Sequence, residues 1–227
     1  MNSKNTFEEG KLILIDKPYE WTSFDVVRKI RYLTKTKKVG HAGTLDPLAT
    51  GLLIVCTGKF TKKINEYMAQ EKEYTGTITL GAITPTYDLE SEPTDHKPFD
   101  HISEEQLQQT ANTFTGPILQ TPPIHSAIKK EGKRVYELAR RGIDVKLEPR
   151  PVTISAFEIV KAELPVVHFR VVCSTGTYIR SLANDFGERL GTGGYLSNLC
   201  RTRIGNFLLK DAFGVEEFEK LLVDSRQ

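Results

Sequence analysis

Between Val39 and Gly58 the chain reads VGHAGTLDPLATGLLIVCTG, and this stretch limits the possible folds more than any other. His41, Gly43, Asp46, Pro47 and Gly51 crowd into a short polar loop, and the apolar run Leu52 to Val55 follows at once with the pattern of a buried strand. Asp46 precedes Pro47, whose ring fixes its own φ and pushes the preceding residue out of the α region. A carboxylate is thereby held on a stiff turn beside the core. Taken alone, an Asp-Pro step merely opens a turn and a Gly merely lets a strand begin.

The 227 residues, 39% of them hydrophobic, are enough for a sizeable core, and we expect a tail over residues 1–9 followed by one domain over 10–227. The net charge of +2 is small, but the charges are segregated. Arg28, Lys29, Arg31, Lys35, Lys37 and Lys38 fall in a run without an acid, whereas Asp88 to Glu105 holds seven acids against Lys97. Local fields steer a polyanion more than totals do, so a basic face and an acidic flap are implied; a solvated helix end and a solvated loop are the plainer alternative. Cys56, Cys173 and Cys200 are an odd, widely spaced set and read as buried free thiols in a reducing compartment. Neither an export signal nor an apolar run of about 18 residues is present, which points to a cytoplasmic protein without a membrane span.

Lys11 to Ile15 reads as a short buried strand that ends at Asp16-Lys17-Pro18. Thr22 or Ser23 then caps a helix with Asp25 in its first turn and Val26, Val27, Ile30 and Leu33 inward. Lys59 to Met68 has helical spacing, with Phe60, Ile64 and Met68 on one side. Glu73 to Leu80 alternates as a strand with Tyr74, Gly76, Ile78 and Leu80 on one face. Pro85 to His101 is a polar surface excursion, and Ser103 with Gln106 forms a capping box for a helix ending near Phe114, which Gly116-Pro117 terminates. Thr121 to Gly142 joins a strand at Ser126 to Lys129 to a helix from Arg134 to Arg141. Pro151 to Glu163 and Val166 to Cys173 form a hairpin through Pro165. Gly176 and Thr177 then stand at a helix entrance, with Tyr178, Ile179 and Arg180 in its first turn. An Arg there opposes the helix dipole and calls for a nearby carboxylate. Strands containing Leu199, Arg201 and Arg203 and a short helix at Gly214 to Leu222 complete an α+β pattern around a large, mainly antiparallel sheet.

The twelve residues GHAGTLDPLATG, Gly40 to Gly51, resemble the catalytic loop of the TruB family of tRNA pseudouridine synthases, in which the Asp of the Leu-Asp-Pro step is essential. The likeness fixes about ten positions in one unbroken run and extends along nearly the whole chain. DKPYEWTSFDVVRKIR resembles the family's first motif, whose Lys-Pro lies near the active-site wall, with Glu20 where the pattern leads one to expect Gly. Lys72-Glu73-Tyr74 is similar to the second motif, whose Tyr stacks on the target base. TPPIHSAIKKEGKRVYELARRG resembles a segment on the RNA-facing side, with His125 where many members carry Tyr, and STGTYIRSL resembles the third motif. The resemblance implies the pseudouridine synthase fold with a central RNA-binding cleft. Too few residues follow Gly205 for the PUA domain that members commonly append, so none is expected.

The reaction so implied breaks the C1′–N1 bond of a uridine, turns the detached uracil and rejoins it through C5. It needs an ionised carboxylate at the sugar, a cation, an aromatic surface and a way of extracting the nucleotide. By the resemblance, Asp46 is the carboxylate, attacking C1′ or removing a sugar proton. Arg180 is the cation that keeps it charged, and Tyr74 stacks on the uracil. His41 fills the gap left by the flipped nucleotide, Tyr178 and Leu199 line the uridine pocket, and Lys17 and Pro18 stand at its wall. Lys129, Lys130, Lys133, Arg134, Arg140 and Arg141 would contact phosphates. No nucleotide-binding Gly-rich motif or zinc spacing is present, and neither cofactor nor metal is expected. The implied substrate is uridine-55 in the T arm of transfer RNA, handled by a monomer without guide RNA. A non-catalytic RNA-binding or tRNA-folding module and, more remotely, a nucleoside hydrolase are the alternatives.

Overall fold

A computed structural model describes residues 6–124, 129–130, 133–134 and 147–224, the two central pairs, Lys129–Lys130 (β6) and Lys133–Arg134 (β7), by their backbone alone. The chain divides into two compact units within what the sequence presents as one domain. The first comprises Met1–Thr75 with Leu199–Gln227 and the second Gly76–Asn198.

The first unit is built on β3, Ala49–Thr57. β1, Leu12–Lys17, runs antiparallel to it from Leu12 opposite Cys56 to Lys17 opposite Gly51. On the other edge β3 pairs twice: β2, Val39–His41, lies antiparallel to its last residues, and β10, Gly194–Ile204, lies parallel to its first. Leu52 to Cys56 are fully buried because β3 serves two cores. Leu53 and Val55 face α2, Ser23–Thr34, and α6, Val215–Asp224, through Val26, Ile30, Val215 and Phe218. Leu52, Ile54 and Cys56 face Ala42, Tyr67 and Ile204. A side chain buried to this degree contributes about 1.5–3 kcal/mol, so this run anchors the unit from both faces of the sheet.

Thr22 caps α2 through a capping box with Asp25, leaving Ser23 for another task. Two expectations change here. Thr6–Glu9, placed in the tail by its polar composition, forms the helical turn α1; Phe7 meets Phe218 edge-on, and its carbonyl accepts from Thr57. Lys59 to Met68 is a 3-10 segment, Gly58–Lys63, followed by α3, Ile64–Met68, so Phe60 and Ile64 reach the core while Met68 is exposed. The tighter winding of the first half breaks the 3.6-residue spacing on which the one-sided stripe depended.

In the second unit the strands run β10, β4 (Lys72–Leu80), β9 (Val166–Cys173), β8 (Arg150–Glu163) and β5 (Gly116–Gln120) in spatial order. β4 and β10 carry the chain from one unit into the other. β8 and β9 form the expected hairpin, turning at Leu164 and a cis Pro165. β5 pairs antiparallel with β8, so Gly116-Pro117 begins an edge strand besides ending α4, Glu104–Asn112. Phe157 packs edge-on against Phe114, Phe169 and Phe186, the last from α5, Ile179–Arg189. The polar excursion is not wholly superficial, since Thr84, Thr86 and Asp88 are buried. The pairings described, that of β10 with β11 (Phe207–Leu208) included, are antiparallel except β1 with β12 (Phe213–Gly214) and β3 with β10, which gives the mixed, mainly antiparallel α+β fold expected. Cys56 and Cys173 are buried thiols, whereas Cys200 is half-buried. Among the described residues, no helix is long and apolar enough to cross a membrane.

Candidate active site

β1 ends by burying Lys17 completely. Its ammonium donates to the carbonyls of Pro18 at 2.9 Å, Trp21 at 2.5 Å and Pro47 at 3.2 Å, which uses all three of its protons. The Pro47 carbonyl also accepts from the Glu20 N–H at 2.9 Å. The residue after Asp46 is therefore tied from two sides to the segment after β1. Glu20 reaches that bond with φ at 64°, in the left-handed region that non-glycine residues enter rarely. This conformation explains why Gly is expected there.

The loop that carries Asp46 is closed by further bonds. The Ala49 N–H donates to the Asp46 carbonyl, and the Ala42 N–H donates to Ile54. Ser23 accepts from the Leu45 N–H at 2.9 Å and donates to the Leu45 carbonyl at 3.2 Å, locking α2 to the residue before Asp46. Gly51 has φ of +100°, and a Cβ there would lie 2.4 Å from the Arg201 carbonyl oxygen. Only glycine lets β10 approach so closely. Leu199 stands opposite Ala49 in the same pairing, and Tyr74, on β4, is buried in this unit.

Arg201 is buried as well. Its Nε donates to the Leu52 carbonyl at 2.8 Å and its Nη2 to the Gly43 carbonyl at 3.0 Å, and the guanidinium carbon lies 6.0 Å from the Tyr74 ring centroid. Burial brings the Lys17 ammonium down to about 8, the negative charge of Asp46 opposing the fall and the positive charge of Arg201 adding to it. His41 is held below the usual imidazole range by burial first and by Arg201 second. Asp46, Lys17, His41, Tyr74, Leu199 and Arg201 thus belong to one unit, with Pro18 half-buried at the end of β1.

Tyr178 and Arg180 belong to the second unit. Tyr178 caps α5 in extended conformation, its N–H donating to Gln120 Oε1 at 2.8 Å and its carbonyl accepting from Gln120 Nε2 at 3.0 Å. Arg180 is buried in the first turn and donates to the Thr86 carbonyl at 3.3 Å. Its Nη1 lies 3.6 Å from Asp88 Oδ2, both side chains being almost wholly buried. Asp88 is a carboxylate of the kind the helix dipole argument requires for an Arg at this position. Composition assigned it to the acidic flap. Tyr87, with φ of 63°, makes the turn between Thr86 and Asp88. Asp88, Gln120 and Arg201 were all missed as site residues; only the unfavourable place of Arg180 in the first turn of a helix hinted that an acid had to exist.

The side chains of Lys129, Lys130, Lys133, Arg134, Arg140 and Arg141, with His125, lie outside the described residues; Lys129–Lys130 pairs antiparallel with Lys133–Arg134 along the backbone. Of the basic run in α2 and after it, Lys37 and Lys38 line one groove with Lys59 and Lys62. Among the described residues no group of three or more His, Cys, Asp or Glu is placed to hold a metal ion.

Residues 31–179, more than half of the chain, match the model of the TruB family pseudouridylate synthase N-terminal domain. This chain belongs to the TruB family. It is 53% identical over 221 residues to the tRNA pseudouridine synthase B of Flavobacterium johnsoniae, covering 94% of this chain and 96% of that relative. Its identity to the protein of the same name from Chlorobaculum tepidum is 49% over 214 residues, covering 92% and 89%. Among solved structures, a chain of a Cbf5-Nop10-Gar1 complex superposes with a TM-score of 0.74 at 28% identity over 97% of this chain, which spans 56% of that one. The TruB resemblance drawn from the Asp46 loop is thus upheld along nearly the whole chain, and so is the pseudouridine synthase fold.

Proposed function

We propose that this chain is a tRNA pseudouridine synthase that converts uridine-55 of the T arm to pseudouridine, with Asp46 as the reacting carboxylate. The observation that carries the reading is the turn of Asp46 itself. Its flanking residues are pinned by Lys17, Glu20 and Ser23, from 22 to 30 positions earlier in the chain, while its side chain stays half-buried at the edge of the core. A rigid scaffold behind one partly exposed carboxylate suits a group that must meet a sugar carbon in a fixed orientation. The strong identity to proteins named tRNA pseudouridine synthase B supports the same reading.

Tyr74 and Arg180 complete the catalytic set in the roles the family pattern gives them, as stacking surface and cation. His41, Tyr178, Leu199, Lys17 and Pro18 serve substrate binding. Atoms balance without a co-reactant: the C1′–N1 bond breaks with its electron pair on the uracil, the ring turns, C5 bonds to C1′, C5 loses a proton and N1 gains one. Asp46 either attacks C1′ or removes a sugar proton. The enzyme works as a cytoplasmic monomer on transfer RNA, without guide RNA. Incubating the purified protein with a T-arm stem-loop and mapping pseudouridine tests this. Modification at position 55 is expected. Binding without modification would favour the RNA-binding module, release of free uracil a hydrolase, and a need for guide RNA the guided relatives.

A further inference from the structure

The Asp46 loop begins beside Gly43 and ends at Leu52, and one buried side chain holds both ends. Arg201 donates from Nε to the Leu52 carbonyl and from Nη2 to the Gly43 carbonyl, so its planar fork closes the loop like a clip. The two glycines of the loop fit this contact. A Cβ on Gly51 would strike the Arg201 backbone, and one on Gly43 would sit 3.6 Å from Nη1. The guanidinium also lies 6.0 Å from the centre of the Tyr74 ring, at the outer limit of a cation–π contact. One rigid cation therefore touches the carboxylate's loop and flanks the aromatic residue.

We propose that Arg201 is a positioning residue for pseudouridine formation, fixing the Asp46 loop against β10 and in register with Tyr74, without itself touching the substrate. The inference rests on the proposed function. Its side chain, 1% exposed, is spent on main-chain carbonyls and is not available to RNA. A guanidinium presents several donors in one plane, whereas a lysine ammonium carries one point charge on a flexible stem. Lysine can therefore keep the charge but cannot hold both carbonyls in the same geometry. Misplacing reacting groups by about 1 Å costs on the order of 100-fold in rate.

The test compares wild type, Arg201→Lys and Arg201→Ala on a T-arm stem-loop, with single-turnover rate, dissociation constant and thermal unfolding measured for each. Wild type establishes the activity; if it forms no pseudouridine, the function and this inference fall together. With an active wild type, Arg201→Lys is expected to lose about 100-fold in rate while its dissociation constant stays within about threefold. Added guanidinium ion should restore at least about tenfold of the rate of Arg201→Ala, because a small planar cation can bridge the two carbonyls again. Wild-type rates in both variants would overturn the inference. So would rates that fall only in step with the folded fraction, with no rescue, since that marks a purely structural arginine.

Discussion

Lys17 and Arg201 in the first unit are held by main-chain carbonyls, three for one and two for the other, whereas Arg180 in the second meets a buried carboxylate, Asp88. A carbonyl dipole satisfies a donor but cancels no charge, so the first arrangement leaves a positive field around the Asp46 turn and fixes the turn's own backbone. An ion pair does the reverse: it balances charge and orients a side chain, and its worth depends on the protonation of one residue. The first region is built to hold a loop, the second to hold a cation.

The largest effect should come from the group that the first region exists to hold. Asp46→Asn keeps the size and the turn, so unfolding temperature and T-arm affinity should stay near wild type. Turnover should fall by at least about four orders of magnitude, or about 5 kcal/mol of barrier, because the glycosidic bond of uridine is otherwise nearly inert. Near-normal pseudouridine formation by purified Asp46→Asn would remove the reason for so elaborate a scaffold.

Asp88→Asn tests the second region. Breaking a buried ion pair by neutralising one member costs roughly 3 to 5 kcal/mol. Denaturant unfolding should register that loss. An unchanged midpoint would mean that the 3.6 Å approach contributes nothing to stability.

Lys17 sharpens the contrast through pH. Its pKa in the folded chain is about 8 against 10.5 for an ordinary lysine, so between these values the unfolded chain binds more protons than the folded one. Stability from this group must then rise with pH across that window, by up to about 3 kcal/mol, as the buried ammonium gives up its proton. Lys17→Met removes that contribution, so the stability of wild type relative to the variant should grow from pH 8 to 10.5. A difference that stays flat would show that the three carbonyls fully compensate the buried charge.

The two regions also differ in how far the sequence disclosed them. The Asp46 loop lies in twelve consecutive residues, and its turn is legible from Pro47, Gly43 and Gly51 without any tertiary information. The capping boxes at Thr22 with Asp25 and Ser103 with Gln106 were legible for the same reason, since each partner is three residues away. Asp88, Gln120 and Arg201 act on residues 92, 58 and about 150 positions distant, and nothing local marks them. Asp88 was hidden by its acidic neighbours, although Thr86, Asp88 and Gln120 are as buried as core residues. Glu20 is instructive in the opposite sense, because the departure from Gly noted in the sequence coincides with a left-handed backbone.

His41 offers the smallest and most local test of the positive field. Burial and the charge of Arg201 both hold its pKa below the usual imidazole value of 6.5, so at neutral pH the ring is uncharged. The depressed pKa means that the unfolded chain binds the proton more readily. This contribution is therefore fully present above 6.5 and is lost as pH falls through the folded value. Removing the Arg201 charge should raise the His41 pKa, while burial still keeps it below 6.5. Imidazole proton shifts followed by NMR in wild type and Arg201→Gln measure both values. Equal His41 pKa values in wild type and Arg201→Gln would mean that the field of Arg201 does not reach the loop. The carbonyl-held cations of the first unit would then act through geometry alone.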